Sequence, residues 1–561
     1  MRDDTTRYLC AAAHEDSTFA NQAIREFLVE DTRPVPPAPG VDAPAVLGEA
    51  IAARTRRKLR DSALLALFLA FAVLAPLDLL LYWVVLAVLF SIGAITRARK
   101  DAELRTEISN GGPAVLATIV ISAVFLYLLY DYLASSPGGA GVPPGYYPYP
   151  VEPDSALPVA LGTSALVAAM LVVLLWDRLV VWRHLRDRFW PNHLGGAVPP
   201  LPDRSVFRLS PERFTNQLWR HHNNAPTMAP PTGNGSAGVP MTVYRGFEPF
   251  VGAGLRHEPW SIAVPLERIP DVEPTISLGT DTLYAAIQRE VGSLREASTL
   301  APGRRLRALA LVEQVVVAAD ELVDHLHEPE SSLFLAHPGA APYTALSAAR
   351  VGSLRMEPLE WARYYHCYQV ETWDRDLVVS VFVHVAVGAG ALYVEWTPCL
   401  LLPIRKRYQD IDRRSRSPLR AVGQAVLDVL RLPATVPERL VHLLTFIRPL
   451  PHAPGAVNPD RYGTAKSLRE LAADRNVHNY FQLADVDRYL KTMESRLILA
   501  VGRTMREAGY SPASFEEQAA TVVNNNVQIA GSVGGSVVAG TGNRIRTTPA
   551  PRATEQAGKA R

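Results

Sequence analysis

The stretch from Ser62 to Ile95, SALLALFLAFAVLAPLDLLLYWVVLAVLFSIGAI, decides the fold. Its one ionisable acid or base is Asp78, which follows Pro76 at the kind of proline-containing break where helices end. Two further apolar blocks follow, at 113–130 and 155–176. Because a helix of about 20 apolar residues crosses a bilayer, these blocks predict an α-helical membrane protein.

Flanking charge predicts the number and direction of the spans. Basic residues lie on both sides of the first block and after the last one, whereas 134–154 contains no Lys or Arg. Since Lys and Arg collect on the cytoplasmic side, we expect the first block to be a two-helix hairpin. Both termini are then cytoplasmic, and a re-entrant first hairpin would leave the soluble part on the same side. The four spans are predicted at about 61–76, 77–96, 113–133 and 156–177.

Shifts in composition along the rest of the chain predict five segments. The N-terminal cytoplasmic segment carries an amphipathic helix and a Pro-rich linker, and the C-terminal soluble part is an α+β domain. The predicted segments are the N-terminal one at 1–60, the transmembrane region at 61–183, a linker at 184–238, the cytoplasmic α+β domain at 239–515, and a low-charge, β-prone tail with a disordered end at 516–561.

The soluble domain is predicted to contain an antiparallel meander. Three β-branched and aromatic runs, Trp361–Glu371, Asp376–Gly388 and Ala391–Leu402, are separated by short turn signals. The run Leu306–Glu328 fits either a strand that passes into a helix or one long helix, because periodicity does not separate the two. A strong amphipathic helix is expected at Ala484–Ala508.

Charge and motif content exclude several functions. The net charge of +2 gives no field that would attract nucleic acid. The apolar blocks hold no ionisable group at mid-membrane depth, which transporters and ion pumps need. We find no Ser-His-Asp, nucleophile-elbow or HExxH arrangement, so an enzyme is the less favoured interpretation, and no cofactor is predicted.

One loop could hold an anionic ligand. Gly246, Gly252 and Gly254 lie between two short strands, with Arg245 and Arg256 beside them. Backbone amides and two guanidinium groups can cradle a phosphate or carboxylate. No GK[ST] sequence follows, so this is not a Walker A loop, and a purely structural glycine loop is the commoner explanation for such a segment.

Two other clusters are weaker candidates for metal ligands. Asp320, Asp324, His327 and Glu328 share helical spacing, although a solvated acidic face explains them more simply. His366 and Cys367 point to opposite faces of a strand, so a buried thiol is favoured over a zinc site. No metal site is predicted.

The tail has a period of two. Apolar and polar residues alternate from Gln518 to Asn543 without a charged residue, and Gly534-Gly535 offers a turn. Such a segment can pair with other copies or form an edge hairpin on the soluble domain. The residues expected to carry self-assembly are Val527, Gln528, Ile529, Val533 and Val537.

Two resemblances rest on quoted segments. NNNVQIAGSVGGSVVAGTGNRI, at 524–545, resembles the short C-terminal motifs of bacterial amyloid-signalling proteins. The N-terminal RYLCAAA, the YRGFEPFVGAG loop and the spans together resemble uncharacterised actinobacterial multi-pass membrane proteins. The first resemblance implies self-assembly through the tail, and the second implies no activity.

Together these features predict a membrane-anchored scaffold or a signalling and assembly protein. Its partners are expected to be the lipid bilayer and either a second copy or a protein that pairs with the tail. The alternative is a membrane-tethered sensor or enzyme that uses the loop at 246–254.

Overall fold

The computed structural model describes residues 4–91 apart from positions 31, 34, 35, 37, 39, 78 and 90, and residues 156–189, 238–296, 308–373, 376–413, 418–445, 450 and 458–525. The predicted span at 113–133 and the five tail residues expected to carry self-assembly lie outside this set. The chain divides into two compact units. The helical unit comprises Met1–Ala225, Ile404–Arg461 and Lys466–Ala472; the sheet unit comprises Pro226–Pro403, Tyr462–Ala465 and Ala473–Arg561.

Two helices of the helical unit begin at side-chain caps, Asp16 and Asp42. The Asp16 carboxylate accepts hydrogen bonds from the amides of Thr18 and Phe19 at the start of the second helix. The helices are α1 (Asp4–Glu15), α2 (Ser17–Phe27), α3 (Ala43–Leu74), α4 (Leu79–Leu89), α5 (Ala156–Arg188), α9 (Lys406–Gln409), α10 (Leu419–Leu430), α11 (Leu432–Leu444) and α12 (Leu468–Ala472).

The first apolar block is interrupted where the sequence predicts it. Helix α3 ends at Leu74, and α4 begins beyond Pro76, whose carbonyl accepts from the amides of Leu79 and Leu80. Among the described helices, the segment Leu161–Arg188 of α5 is the one long and apolar enough to cross a membrane. The four-span topology stays a prediction.

The sheet unit contains eight strands in one mixed sheet. Their order is β2-β8-β7-β6-β4-β1-β5, and β3 also pairs with β8. The β1–β4 pair is parallel and the other pairs are antiparallel. The strands are β1 (Val239–Tyr244), β2 (Leu255–Arg256), β3 (Trp260–Pro265), β4 (Ala310–Ala318), β5 (Ala345–Leu346), β6 (Ala362–Thr372), β7 (Leu377–Gly388) and β8 (Ala391–Leu401).

Helices cover one face of this sheet. Leu283 and Ile287 of α6 and Leu497 of α13 pack with Val383 of β7 in the main core. Alternation along the strands sends other side chains, such as Phe382, to the opposite face, where a smaller cluster forms. The helices of this unit are α6 (Thr280–Gly292), α7 (Ala319–Asp324), α8 (Ala348–Met356), α13 (Tyr480–Glu507) and α14 (Ala513–Asn525).

The predicted elements of the sheet unit are present. The runs expected as a meander form β6, β7 and β8, which pair in sequence order and antiparallel. The ambiguous run at 306–328 is a strand, β4, that passes into the short helix α7. Helix α13 covers the amphipathic segment predicted at 484–508.

Three predicted boundaries differ from the structure. Residues 404–461 and 466–472, assigned from sequence to the domain at 239–515, belong to the helical unit because their apolar side chains pack there. Helix α3 already begins at Ala43, inside the segment predicted as helix and linker, because Asp42 caps it and Pro44 fits its first turn. The first ten residues of the predicted tail are helical in α14, since Phe515 and Ala519 join the main core.

Candidate functional site

The loop predicted to bind a ligand connects β1 to β2 and is held down on the sheet. Gly246, Gly252 and Gly254 have positive φ angles of 80°, 97° and 90°. At Gly254 a Cβ atom would collide with the backbone of Leu400 on β8, so glycine is required for the close approach of the two strands. The glycines therefore have a structural role in this loop.

An aromatic contact fastens the same loop to the sheet. Phe250 is buried and stacks on Phe382, with 4.0 Å between the ring centroids, and it meets Tyr365 edge-on at 5.1 Å. Such pairs contribute beyond their buried area. The loop is thus packed against this part of the sheet through the Phe250 side chain.

Of the two predicted arginines, Arg256 has its guanidinium on a carboxylate of the same loop. Arg256 Nε and Nη2 donate to the two carboxylate oxygens of Glu248, at 2.9 and 3.1 Å, and its guanidinium lies 4.8 Å from the centroid of the Phe247 ring. The backbone amide of Arg245 donates to the carbonyl of Thr464. Arg256 therefore has a carboxylate partner at the surface, and the anion cradle expected from the sequence stays a prediction.

A pocket of about 270 Å3 nevertheless opens beside the loop. Of the five predicted ligand-binding residues, only Arg256 lines it, together with Phe250 from the loop. Four aromatic rings, two arginines and two glutamates surround the space. The lining residues are Tyr244, Pro249, Phe250, Arg256, Val316, Glu360, Trp361, Arg363, Tyr365, Glu395 and Thr397.

The polar groups of this pocket are already ordered by one another. Glu395 accepts from Arg363 Nη1 at 3.3 Å and from the Tyr365 hydroxyl at 3.5 Å. Burial, and then the charge of Glu395, raise the pKa of Tyr365 well above its usual range, so the phenol stays protonated. The pocket therefore offers aromatic faces, a fixed hydroxyl and a carboxylate, with positive and negative charges in balance.

Sequence reasoning missed most of these residues. Arg363 and Tyr365 are two apart on β6, so alternation alone puts both on the face away from the helices. Glu395 comes from β8, and only the pairing of β6, β7 and β8 brings it beside them. No local pattern carries that information.

A second polar cluster lies inside the helical unit. His14 of α1, Glu49 of α3 and His184 of α5 place one ligand atom each within 4.8 Å of one another. Both imidazole Nε2 atoms approach Glu49 Oε2, at 2.7 Å for His14 and 3.0 Å for His184. The three residues come from helices far apart in sequence, and no spacing motif announces them.

The hydrogen bonds of this cluster argue against a metal centre. Arg56 Nη1 lies 3.0 Å from His14 Nδ1, and a guanidinium can only donate. His14 Nδ1 is therefore the acceptor, and Nε2 carries the proton that is donated to Glu49. Burial opposes the charge on Glu49, but hydrogen bonds from the two histidines outweigh it and lower its pKa to about 2. The cluster is a buried ion network.

The two weaker candidates for metal ligands are the acidic cluster at 320–328 and the cysteines of the sheet. Asp320, Asp324, His327 and Glu328 are exposed. Cys367 is buried, and burial raises its pKa to about 12. On β7, Cys367 pairs with Phe382 whereas Cys399 pairs with Ser380, so the two thiols are not opposite each other.

Comparison with known proteins gives one match. Residues 259–539, half of the chain, match the family model of the AbeC-like domain. No curated protein and no solved structure matches the chain. The match covers β3 to β8 and the helices that pack on them, and it continues beyond α14.

Proposed function

The chain belongs to the AbeC-like domain family, and from that premise we propose that it is a membrane-anchored signalling or assembly scaffold, whose helical unit attaches the sheet unit to a bilayer. The proposal includes the four spans and cytoplasmic termini expected from the sequence. It names no catalytic step.

The exposed apolar surface of the helical unit carries this proposal. Val73 of α3 is 82% exposed and Trp176 of α5 is 69% exposed, and Leu69, Leu161 and Val172 are exposed as well. Fully burying one such side chain is worth about 1.5–3 kcal/mol relative to water. Many exposed apolar side chains on two neighbouring helices favour a protein or membrane contact, and helices of this length suit the hydrocarbon core.

Fractionation and reporter fusions test the anchor. The full chain should stay in the membrane pellet after alkaline carbonate extraction. A reporter active only outside the cell should be active at Gly138 and silent at the C-terminus. A soluble chain would overturn the anchor, and an active C-terminal fusion would overturn the orientation.

Assembly through the tail is the second part of the scaffold proposal. Its support is the uncharged alternation around Val527, Gln528 and Ile529. Deleting 526–561 leaves α14 intact, so the sheet unit keeps its core. We expect the full chain in nanodiscs to associate and the deleted chain to stay dispersed, as measured by sedimentation. Equal sedimentation of both would remove the tail from the proposal.

The pocket beside the loop at 246–254 favours a second candidate function, that of a membrane-tethered sensor. Its aromatic walls and the Tyr365–Glu395 pair suit a planar, uncharged ligand with hydrogen-bond donors and acceptors better than the anion expected from the sequence. A screen of such compounds by thermal shift tests this. Stabilisation should be lost in Trp361→Ala and kept in Tyr480→Phe, whose side chain is exposed elsewhere on the sheet unit. Equal stabilisation of both variants would place the ligand at another site.

A further inference from the structure

Helices α10 and α11 form an unexpected part of the helical unit. From sequence, residues 419–444 belong to the cytoplasmic domain. In the structure α10 packs along α5, and α11 packs along α3. Both partner helices belong to the apolar segments that predict membrane spans, so this pair of helices adjoins the proposed membrane anchor.

One side of the pair is fixed by apolar packing. Ala425 and Val429 of α10 lie one helical turn apart, and both join a cluster with Phe71 of α3 and Met170 and Leu174 of α5. The first residue of α11, Leu432, extends the same cluster. This face of the pair is therefore occupied.

Ion pairs fix the position of α10 along α5 and of α11 along α3. Arg178 Nη2 of α5 lies 2.5 Å from Asp428 Oδ2 of α10. Asp61 of α3 accepts from Arg439 Nη1 at 2.6 Å and from His442 Nδ1 at 2.9 Å, both on α11. Asp61 is buried, so these contacts are much less screened than surface pairs.

The other side of the pair is apolar and exposed. On α10 the exposed residues Leu419, Val422 and Val426 follow helical spacing, and Leu419 is 75% exposed. On α11 the exposed apolar residues are Leu440, Val441 and Leu444, with Val441 at 63%, and the helix also exposes one acid, Glu438. Water is a poor environment for such a surface.

Lipid is the occupant that fits this surface. The occupied face of α10 packs on Met170 and Leu174 of α5, and α5 carries exposed apolar residues of its own, such as Val172. The sequence from Arg413 to Leu427 contains four arginines and no acid. Basic residues beside an apolar helical face are typical of elements that lie in the headgroup region of anionic membranes.

We propose that α10 and α11 form an interfacial membrane element, which seats its exposed face in the bilayer that holds α5. The inference rests on the proposed membrane attachment and adds a second contact with lipid. Residues 419–444, predicted from sequence to be part of the cytoplasmic domain, are assigned by this proposal to the membrane surface.

Depth-dependent quenching on the full chain tests this. Cys10, Cys367 and Cys399 are buried, so a thiol-reactive fluorophore should select an introduced exposed cysteine; unsubstituted protein measures the background. Val426→Cys and Val441→Cys probe the pair. Val172→Cys on α5 reports the anchor, and Phe247→Cys, exposed on the sheet unit, is the aqueous control. The vesicles contain phosphatidylcholine, phosphatidylglycerol and a lipid with a nitroxide near the headgroup end of its acyl chain.

The labels at 426 and 441 should lose emission on adding the nitroxide lipid and show blue-shifted spectra, whereas the label at 247 should do neither. Quenching at 172 but not at 426 or 441 would overturn the inference and leave the anchor standing. Absence of quenching at all four positions would overturn the proposed anchor itself. Because every labelled side chain is exposed, the substitutions leave the packed faces intact.

Discussion

The two units of this protein differ in the charged side chains that they bury. In the sheet unit the least exposed side chains are mainly apolar, such as Leu497 and Val383. In the helical unit Glu49 and Asp61 are only 1% and 2% exposed, while valines and leucines face outward. A protein in water buries its apolar side chains, and charges are buried only when paired. The contrast is the one expected if the helical unit is the membrane anchor proposed above.

The largest expected effect comes from removing the carboxylate of a second buried ion cluster of the helical unit, formed by Asp177, Arg56 and Arg60. Asp177 pairs with Arg56 at 2.9 Å and with Arg60 at 3.1 Å. Asp177→Asn leaves both cations without their carboxylate in a buried place, and removing one partner of a buried pair costs about 3–5 kcal/mol. The loss should appear as a lower unfolding midpoint in nanodiscs. Asp187→Asn, exposed on the same helix, is the control and should change little.

A slightly smaller effect is expected from the core of the sheet unit. Leu497→Ala removes a fully buried side chain from α13, which should cost about 2–5 kcal/mol. Hydrogen exchange should show the loss in peptides of the sheet unit. The same substitution at the exposed Leu161 of α5 should leave stability in lipid nearly unchanged. If Leu161→Ala were as costly, the contrast between the units would fail.

The pH dependence of the helical unit gives a third test. Burial lowers the pKa of His14 to about 4, from 6.5. Between these values the unfolded chain binds more protons than the folded one, so stability falls as pH falls, by at most about 1.4 kcal/mol per pH unit. Above pH 6.5 His14 is neutral in both the folded and the unfolded chain, so it no longer makes stability depend on pH. Glu49, with its pKa lowered from 4.5 to about 2, adds a loss below pH 4.5.

His14→Gln should flatten the slope between pH 6.5 and 4 and reduce the loss below pH 4.5, because His14 is one of the two residues whose hydrogen bonds lower the pKa of Glu49. Unfolding midpoints of the full chain in nanodiscs, measured across this range, provide the comparison. His327→Gln, at an exposed position, should keep the slope of the parent chain. An unchanged slope in the His14 variant would mean that another group dominates acid sensitivity.

The smallest effect is expected at a surface pair of the sheet unit. Arg256 and Glu248 are both partly exposed, and such pairs contribute about 0–1 kcal/mol. Arg256→Ala should therefore shift the unfolding midpoint little, and raising the salt concentration should shrink the difference further. A loss as large as that of Asp177→Asn would show that the loop depends on this pair for its conformation.

Sequence patterns predicted those parts of the molecule that local chemistry determines. The three strands of the meander were predictable because their β-branched residues fit a sheet, and the break near Pro76 because proline ends helices. The placement of α10 and α11 was not, since their packing partners on α3 and α5 are hundreds of residues away. An amphipathic helix packs equally well on a soluble core or beside a membrane helix.

The candidate site shows the same limit. The glycine loop was identified and its role as an anion cradle stays a prediction, but no sequence signal indicated that Glu248, eight residues from Arg256, would accept from that guanidinium. The pocket depends on Glu395, which reaches Tyr365 through strand pairing. The start of the alternating tail, at 518–525, is helical in α14, where core packing of Phe515 and Ala519 favours a helix.

Helix α3 has a mechanical consequence. Its 32 residues run without a break from Ala43 to Leu74, a rod about 48 Å long. Glu49 is near one end and Phe71 near the other, so the rod joins the buried ion network to the apolar cluster with no hinge between them. A tilt of about 5° at the Glu49 end would swing the far end by about 4 Å. A small change in the angle of α3 at its Glu49 end would thus move the residues around Phe71.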